Sequence, residues 1–558
     1  MASVLQPLAP SSTLKFKKVP SGGTPEGQVA RLEATYTPHD QRFTLRRREF
    51  KQQYSHIYAR RLARLRAAAA AEAERLWGGD QLRRCERLVQ ANADGAGGSG
   101  PCVCIGTLYK TMRLRPSVLV EYRDERGISE AIGVPRGDFA APDDSLLLED
   151  DSGRLNLAAD TTTPDVMPAQ DLPTGIVVAV RGSVRADGDM AVEAWCPPGL
   201  PPQPSPPEGA AHPPGACLLL VSGMLAGGPQ DPLPTRLFLD HLAGYLGGAG
   251  DHEQIARVVR VVVCGNSAAA PPPPLAGAAS GSIGSGKLSA EQQRERTAPL
   301  RECDAELAQV AVPVDIMPSA SDASNYMLPQ RAAHMLFRKR AIQQRKGNIR
   351  PNVAAALPVD IMPGASDASN YMLPQQPLHP CLLPLASRYP NARLATNPHE
   401  AWVGTRLVLG TAGQPLDDIL QYTAAAEGAG GDEGDSARRL QMLENMLRWQ
   451  HIAPTAPDTL GCYPFLTEDP FVLEECPHVF FAGNQPRFAT RLVEGHDGQQ
   501  KGLLNRAAQV RVVCVPSFAT TGEVVLIDLD TLEATPLQFG VSDLGGWETT
   551  GPADMAEE

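Results

Sequence analysis

Cysteine and histidine are the side chains of this chain best suited to hold a metal ion or act as nucleophiles. The 11 cysteines are scattered and form no C-x-x-C pair, so their spacing does not match a zinc finger. Cys102 and Cys104 flank Val103 in a β-rich run, where alternate side chains share one face. We therefore expect buried thiols in a reducing compartment, with no bound cofactor.

Other residues that could do chemistry have structural explanations. His379, His451 and His478 lie close to prolines, and we expect them to be hydrogen-bonded in or beside turns. The pair Asp417-Asp418 is typical of a helix start, where carboxylates complement the helix dipole. The glycine-rich run 428–434 is not followed by Lys-Ser or Lys-Thr, so it is not a phosphate-binding loop. The sequence predicts no catalytic residues.

Composition limits the possible functions. The chain has 558 residues, of which 42% are hydrophobic and 20% charged, values typical of two or three globular domains. Its net charge of −12 argues against autonomous DNA binding, because neutralising phosphates dominates affinity for nucleic acids. We expect DNA contact only weakly or through a larger assembly. No run approaches the roughly 18 apolar residues that span a bilayer, so no membrane partner is expected.

The N-terminal part is predicted to contain a disordered leader and a helix. Residues 1–40 are rich in Pro, Gly, Ser and Thr without a sustained period. Apolar residues then recur at helical spacing between Phe50 and Leu62, which predicts an amphipathic helix. We expect the arginines of this helix to extend along its surface toward solvent, and His56 to be solvated.

Residues 101–196 change to short β-rich runs with hairpin turns. Asp-Ser-Gly at 151–153 and Ala-Asp-Gly at 186–188 supply two of the turns. A small barrel, with the OB-fold as first choice, is predicted within a domain of residues 41–196. Its strands offer few aromatic side chains on which bases could stack, so a protein-binding barrel is favoured. The predicted strands are 103–108, 117–120, 145–150, 154–157 and 174–184.

A second domain is predicted over residues 215–530. It follows a linker at 197–214 that contains nine prolines. Strand, helix and strand then alternate over 216–266, which indicates a layered α/β sheet. Further predicted elements are a low-complexity insert at 267–287, a charged helix at 288–310, a helix at 437–447, strands at 358–363, 478–482, 510–515 and 523–528, and an acidic tail at 531–558.

One segment occurs twice. Pro313–Gln330 returns as Pro358–Gln375, and the copies differ only at Ser319 versus Gly364. One strand position in a sheet holds one segment, so we expect one copy to be looped out. Gly364 favours the second copy as the strand, because a loop at a strand end commonly needs positive φ. A recent tandem duplication and an error in the gene sequence both remain open as the origin.

Several stretches resemble one family. The order of strands and loops is similar to that of calcineurin-like phosphoesterases, and with the preceding barrel it resembles the B subunits of replicative DNA polymerases. The resemblance is strongest to the delta-type small subunits and spans most of 43–530. The stretches that carry it are 50–62, 218–223, 359–364, 376–381, 453–465 and 475–484. The implied fold class is α/β plus β, an OB-fold barrel packed on a calcineurin-like phosphoesterase sandwich.

The resemblance also implies that the phosphoesterase site is lost. Such enzymes hold two metal ions with Asp and His at the ends of their strands. Here the D-x-H position reads Gly223-Met224-Leu225, and the G-D position reads Gly265-Asn266. The remaining degenerate loops are Gly364-Ala365-Ser366-Asp367 and Gly483-Asn484-Gln485-Pro486. No metal and no catalytic residue is therefore expected in these loops.

The implied function is a non-catalytic scaffold subunit in the nucleus, active in DNA replication and repair synthesis. Family members of the delta type join the C-terminal metal-binding domain of a catalytic subunit to a third, clamp-linking subunit. Two alternatives remain open. The chain could be the accessory B subunit of the alpha or epsilon polymerase, or a divergent metal-dependent phosphodiesterase or nuclease.

Overall fold

The structure is a computed structural model. No helix in its described part is long and apolar enough to cross a membrane. The residues that it describes are 31–45, 51–80, 82–92, 100–115, 139–159, 166–242, 244, 246–267, 269, 297–298, 301–302, 305, 314–317, 359–361, 372–377, 392–393, 395–424, 431–495 and 508–540.

The chain enters the fold before the predicted end of its leader. Strand β1, Tyr36–Pro38, pairs antiparallel with residues 401–403 of the second domain. Tyr36 packs against the core of that domain, and Asp40 is buried just before a short 3-10 turn, Gln41–Phe43. The prediction of a loose leader is therefore wrong for residues 31–40, because their backbone and side chains pair with residues far along the chain.

Helix α1, Ser55–Trp77, confirms the predicted helix and extends it. The extension follows from a run of alanines at 67–71, the residue with the highest helix propensity. Ile57, Leu62 and Leu65 are buried along one face, and His56 is exposed as predicted.

Six strands form the first domain. Strands β3 to β7 make a closed barrel, because β3 pairs antiparallel with both β4 and β6. The turns at 151–153 and 186–188 join β4 to β5 and β6 to β7 as predicted, whereas the predicted strand 117–120 lies outside the described residues. The strands are β2 Arg83–Cys85, β3 Cys102–Thr111, β4 Ser145–Glu149, β5 Arg154–Ala159, β6 Val177–Val184 and β7 Met190–Cys196.

The proline-rich segment 197–214 lies against the second domain. Gly199 donates to the carbonyl of Arg448 at 2.9 Å, and the Gln203 side chain donates to the carbonyl of Gln509 at 2.8 Å. Pro202 accepts from the amide of Cys476 at 2.9 Å. The prediction of a linker is right in that the segment has no helix or strand, but its hydrogen bonds fix it to the surface that it crosses.

The second domain contains two sheets with helices at their faces and edges. Its strands are β8 Cys217–Val221, β9 Val258–Cys264, β10 Val314–Met317, β11 Val359–Ile361, β12 Ala392–Arg393, β13 His399–Val403, β14 Arg406–Thr411, β15 Val479–Gln485, β16 Ala489–Glu494, β17 Gln509–Pro516, β18 Glu523–Asp528 and β19 Ala534–Gln538. The helices named here are α2 Leu233–Leu242, α3 Ala249–Ala256, α4 Gln414–Gln421, α5 Asp432–Arg448 and α6 Phe518–Thr521.

The two sheets share one apolar core. One sheet has the order β12-β11-β10-β9-β8-β18-β19, and the other has the order β1-β13-β14-β15-β17-β16. Leu218, Leu220 and Val262 of the first sheet pack with Phe481 and Val513 of the second. Near-continuous apolar runs such as Val258–Cys264 suit strands that are buried on both faces.

Both copies of the repeat form strands. β10 pairs in parallel with β9 on one side and with β11 on the other, so that Asp315 lies opposite Asp360. The expectation that one copy is looped out is therefore wrong. A sheet edge can accept a further parallel strand, and the second copy extends the sheet rather than competing for one position.

The sheet also extends beyond the predicted domain end. Strand β19, Ala534–Gln538, pairs antiparallel with β18, so the predicted tail at 531–558 begins inside the fold. Helix α5 covers the predicted 437–447 and begins earlier, at Asp432. The predicted helix at 288–310 lies mostly outside the described residues.

Candidate functional site

Three of the degenerate loops meet at the carboxyl ends of β8, β9 and β15, a region that we call the loop edge (residues 222–226, 265–266 and 483–486). The amide of Gly223 donates to Gly265 at 2.9 Å, and the amide of Leu225 donates to Asn266 at 3.0 Å. The amide of Asn484 donates to Oγ of Ser222 at 2.8 Å. The loop edge thus brings together four predicted site residues, Gly223, Leu225, Asn266 and Asn484. Pro486 ends the third loop. Gly364, Ser366 and Asp367 lie outside the described residues.

The backbone of the loop edge is left-handed at several positions. Leu225, Asn266 and Asn484 have φ of 48°, 53° and 58°, values uncommon for residues other than glycine. Gly223 has φ of 62°, and a Cβ there would lie 2.4 Å from Oγ of Ser517, so only glycine fits. Such conformations persist where surrounding bonds enforce them, and here the inter-loop hydrogen bonds do so.

Asn484 ties the loops together through its side chain. Its Nδ2 donates to the carbonyls of Cys264 at 3.2 Å and Ala412 at 2.9 Å. Its Oδ1 is buried and accepts no hydrogen bond from the residues that the structure describes. Ser222 complements this tie, because its hydroxyl donates to the carbonyl of Pro516 at 2.9 Å.

The loop edge therefore offers amide, hydroxyl and main-chain groups. A two-metal hydrolytic site needs several carboxylate and imidazole ligands around ions about 4 Å apart. Within the described ranges, no group of three carboxylate, imidazole or thiolate ligands lies at this edge. Its hydrogen bonds hold three loops in fixed positions.

A second region, the junction, joins α1 and the barrel to the second domain through Arg61. Nε of Arg61 donates to Oδ2 of Asp469 at 2.8 Å, and both side chains are fully buried. Nη1 donates to the carbonyls of Gly175 at 2.9 Å and Pro454 at 2.7 Å. Nη2 donates to the carbonyl of Ala456 at 2.6 Å. One guanidinium thus connects the helix, the barrel and the segment 454–469.

His451 completes the junction. Its Nδ1 accepts from the amide of Ala453 at 3.2 Å, so Nε2 carries the proton and donates to Oδ2 of Asp469 at 2.9 Å. Burial, reinforced by the charge of Arg61, lowers the pKa of His451 to about 4. Burial by itself would raise the pKa of Asp469, but Arg61 and His451 hold it below its usual range. The junction is therefore a neutral histidine beside a buried ion pair.

A second buried cation crosses the same boundary. Nζ of Lys110, on β3, lies 3.1 Å from Oδ2 of Asp144, and both side chains are fully buried. The same Nζ donates to the carbonyl of Tyr422 in the second domain at 2.8 Å. Two buried cations of the first domain, Arg61 and Lys110, therefore donate hydrogen bonds to main-chain carbonyls of the second domain.

One signal of the junction is present in the sequence but was missed in its interpretation. Ile57, Arg61 and Leu65 recur at intervals of four and are all buried, so Arg61 lies within the apolar stripe. The prediction that the arginines of this helix extend to solvent is therefore wrong for Arg61. The prediction of hydrogen-bonded histidines is confirmed for His451 and for His478, whose Nδ1 accepts from Leu407 at 3.1 Å, whereas His379 lies outside the described residues.

Comparison with known proteins assigns both domains. A family model described as DNA polymerase delta subunit OB-fold domain matches residues 53–195. A family model for the B subunit of DNA polymerase alpha/epsilon matches residues 218–352 and 337–490. The predicted OB-fold is thereby confirmed.

Whole-chain relatives are more specific. The DNA polymerase delta small subunit of Arabidopsis thaliana is 34% identical over 513 residues, covering 91% of this chain and 96% of the relative. The DNA polymerase delta subunit 2 of Drosophila melanogaster is 31% identical and covers 92% of this chain and 99% of the relative. The chain belongs to the DNA polymerase delta small subunit family. The Saccharomyces cerevisiae member is 29% identical over 89% of this chain and 91% of the relative.

The junction and the loop edge both fall within the stretches that the family models match. The OB-fold match contains Arg61 and Gly175, and the alpha/epsilon match contains Asp469 and the loop edge. The two stretches of the alpha/epsilon match overlap at 337–352, between the repeat copies. The resemblance to the delta type is confirmed at the level of the family by the whole-chain relatives.

Proposed function

We propose that this chain is the non-catalytic accessory subunit of DNA polymerase delta, and that it joins the catalytic subunit to the third subunit. The observation that carries the proposal is the loop edge, which would correspond to a phosphoesterase active site and which presents glycine, leucine and asparagine. The second domain would then be an inactive calcineurin-like phosphoesterase sandwich. It serves as a surface for assembly rather than as an enzyme.

The junction supports a scaffold role. A protein that connects two partners transmits force and orientation between its own domains, so the domains must not move independently. Arg61 and Lys110 supply buried, directional bonds across the boundary, and such bonds fix one relative orientation more strictly than apolar contact does. We assign one face of the sandwich to the C-terminal metal-binding domain of the catalytic subunit. The α1 and barrel side would take the third, clamp-linking subunit.

Co-expression with the partner subunits tests the assignment. The full chain should elute as a stoichiometric complex with the catalytic and third subunits of polymerase delta, and it should not pull down the alpha or epsilon catalytic subunits. Tagged chain should accumulate in the nucleus during DNA synthesis. A chain that elutes alone, or with an alpha or epsilon catalytic subunit, overturns the proposal.

Nuclease activity tests the alternative. The isolated chain with Mn²⁺ should cleave neither single-stranded DNA nor a phosphodiester analogue. Cleavage that is lost in Asn266→Ala would place the chain among active metal-dependent phosphodiesterases. Cleavage that survives Asn266→Ala would identify a contaminating nuclease and leave the assembly result to decide.

A further inference from the structure

Three cysteines meet where β2 pairs with the barrel strand β3. Cys85 on β2 and Cys102 and Cys104 on β3 are 7%, 1% and 0% exposed, and their three sulfur atoms all lie within 4.8 Å of one another. The parallel register of β2 and β3 places Cys85 opposite Cys104. We call these three residues the thiol cluster.

The contacts within the thiol cluster are mutual. Each thiol is within hydrogen-bonding contact of the other two, so the three sulfurs face a common centre. The six other described cysteines belong to no such group in the described part of the chain. Packing alone needs small apolar side chains at these positions, but it does not need three sulfurs directed at one point.

We propose that the thiol cluster binds one zinc ion, or another soft divalent ion of the same class, as a structural staple between β2 and the barrel. Thiolates bind Zn²⁺ at about 2.3 Å, which puts three sulfurs around one ion about 4 Å apart. The observed limit of 4.8 Å requires each pair to close by less than about 1 Å. Soft sulfur ligands select this class of ion over Mg²⁺, Ca²⁺ or Mn²⁺.

Binding has a defined proton and charge balance. Three thiols and one Zn²⁺ give a tris-thiolate complex of charge −1 and release three protons. Arg83, on the same short strand as Cys85, places a positive charge near Cys102. Its guanidinium is held by the carbonyls of Gln90 and Ala91 at 2.9 and 3.1 Å, so this counter-charge is fixed.

A cavity borders one residue of the cluster. It has a volume of about 470 Å³ and lies between the C-terminal half of α1 and strands β2 and β3, with Cys85 among its lining residues. Its β3 lining residues, Val103 and Ile105, lie on the opposite face of the strand from Cys102 and Cys104. Zinc commonly has four ligands, and a water molecule would supply the fourth. The staple would fix β2, which has three residues and pairs only with β3 among the described strands.

Metal content and cadmium binding test the proposal on the reduced, full-length chain. Chain purified without chelators should carry about one zinc per molecule. Titration of metal-free chain with Cd²⁺ should produce a thiolate-to-metal charge-transfer band that saturates at about one equivalent. Absence of both signals overturns the proposal and leaves the three thiols as packing residues.

A matched pair of variants locates the ion. Cys104→Val should reduce bound metal at least tenfold, whereas Cys514→Val, at an equally buried thiol in strand β17, should keep it. Equal binding by the two variants contradicts the assignment. Should Cys104→Val fail to fold, zinc-edge X-ray absorption of the unmodified chain decides. Three sulfurs near 2.3 Å support the site, and a shell of nitrogen and oxygen alone overturns it.

Discussion

The junction and the loop edge differ in how they use polar side chains. At the junction, Arg61, Asp469 and His451 are fully buried, and their charges are matched by partners at hydrogen-bonding distance. At the loop edge, asparagine and serine bond to main-chain groups. The junction is thus held by buried charge, whereas the loop edge is held by neutral polar groups.

This difference has an energetic reason. Buried carboxylates without a cation carry a large desolvation cost, so a buried loop without a cation is more stable with amides. Arg61 has its charge matched by Asp469 and four of its five N–H donors bonded to Asp469 and three carbonyls. Removing the arginine would leave the carboxylate buried without its cation. The two regions should therefore respond very differently to substitution.

Arg61→Ala should have the largest effect. It leaves Asp469 buried without its cation, so we expect a loss of about 3 to 5 kcal/mol in the free energy of unfolding. Arg64→Ala, one turn along the same helix, removes a 3.0 Å ion pair between exposed side chains and should cost less than about 1 kcal/mol. Urea denaturation measures both, and similar losses would show that the junction is not held by Arg61.

Gly175→Ala should come next. Gly175 has φ of 94°, and a Cβ there would lie 2.0 Å from the carbonyl oxygen of Pro454. We expect about 2 to 4 kcal/mol of destabilisation from strain and overlap together. Gly188→Ala is the control, because Gly188 has φ of 91° with nothing within 4 Å, and it should cost only about 1 to 2 kcal/mol. Equal melting temperatures would contradict the close approach.

Acid should weaken the junction through His451. The folded pKa is about 4 and the usual value is 6.5, so the unfolded chain binds the proton more readily below pH 6.5. The contribution of His451 to the free energy of unfolding is complete above pH 6.5 and is lost progressively as the pH drops toward 4. The loss should be roughly 2 kcal/mol at about pH 5.

His451→Gln tests that assignment by reducing the slope of stability against pH. The slope should not vanish, because burial also lowers the pKa of His478 to about 4. His56→Gln, at an exposed position of α1, should leave the slope unchanged. A slope unaffected by His451→Gln would mean that the acid sensitivity arises elsewhere.

Asn484→Gly should have the smallest effect of the test substitutions. Asn484→Gly keeps the left-handed backbone but removes two hydrogen bonds, so we expect a loss of about 1 to 2 kcal/mol. Asn484→Ala should lose about 1 kcal/mol more, because alanine tolerates φ of 58° poorly. Assembly with the partner proteins should persist in both variants. Loss of assembly at retained stability would show that the loop edge is itself a contact surface.

Much of the fold follows from local pattern. The short β-rich runs in 101–196 predicted the barrel strands, and the continuous apolar run at 258–264 predicted a buried strand, because local composition and pattern carry this information. The turns at 151–153 and 186–188 were predictable because glycine and aspartate favour the backbone conformations that turns require.

Contacts between segments that are far apart in the sequence could not be predicted from local pattern. Neither the burial of Arg61 against Asp469 nor the meeting of Cys85 with Cys104 follows from local spacing, because each requires two segments to pack. The two repeat copies are nearly identical in sequence, yet they occupy adjacent strands, which only the available sheet edge determines. Most elements and the family could be inferred from the residues in order, whereas the charges and thiols that are buried together depend on how distant elements pair.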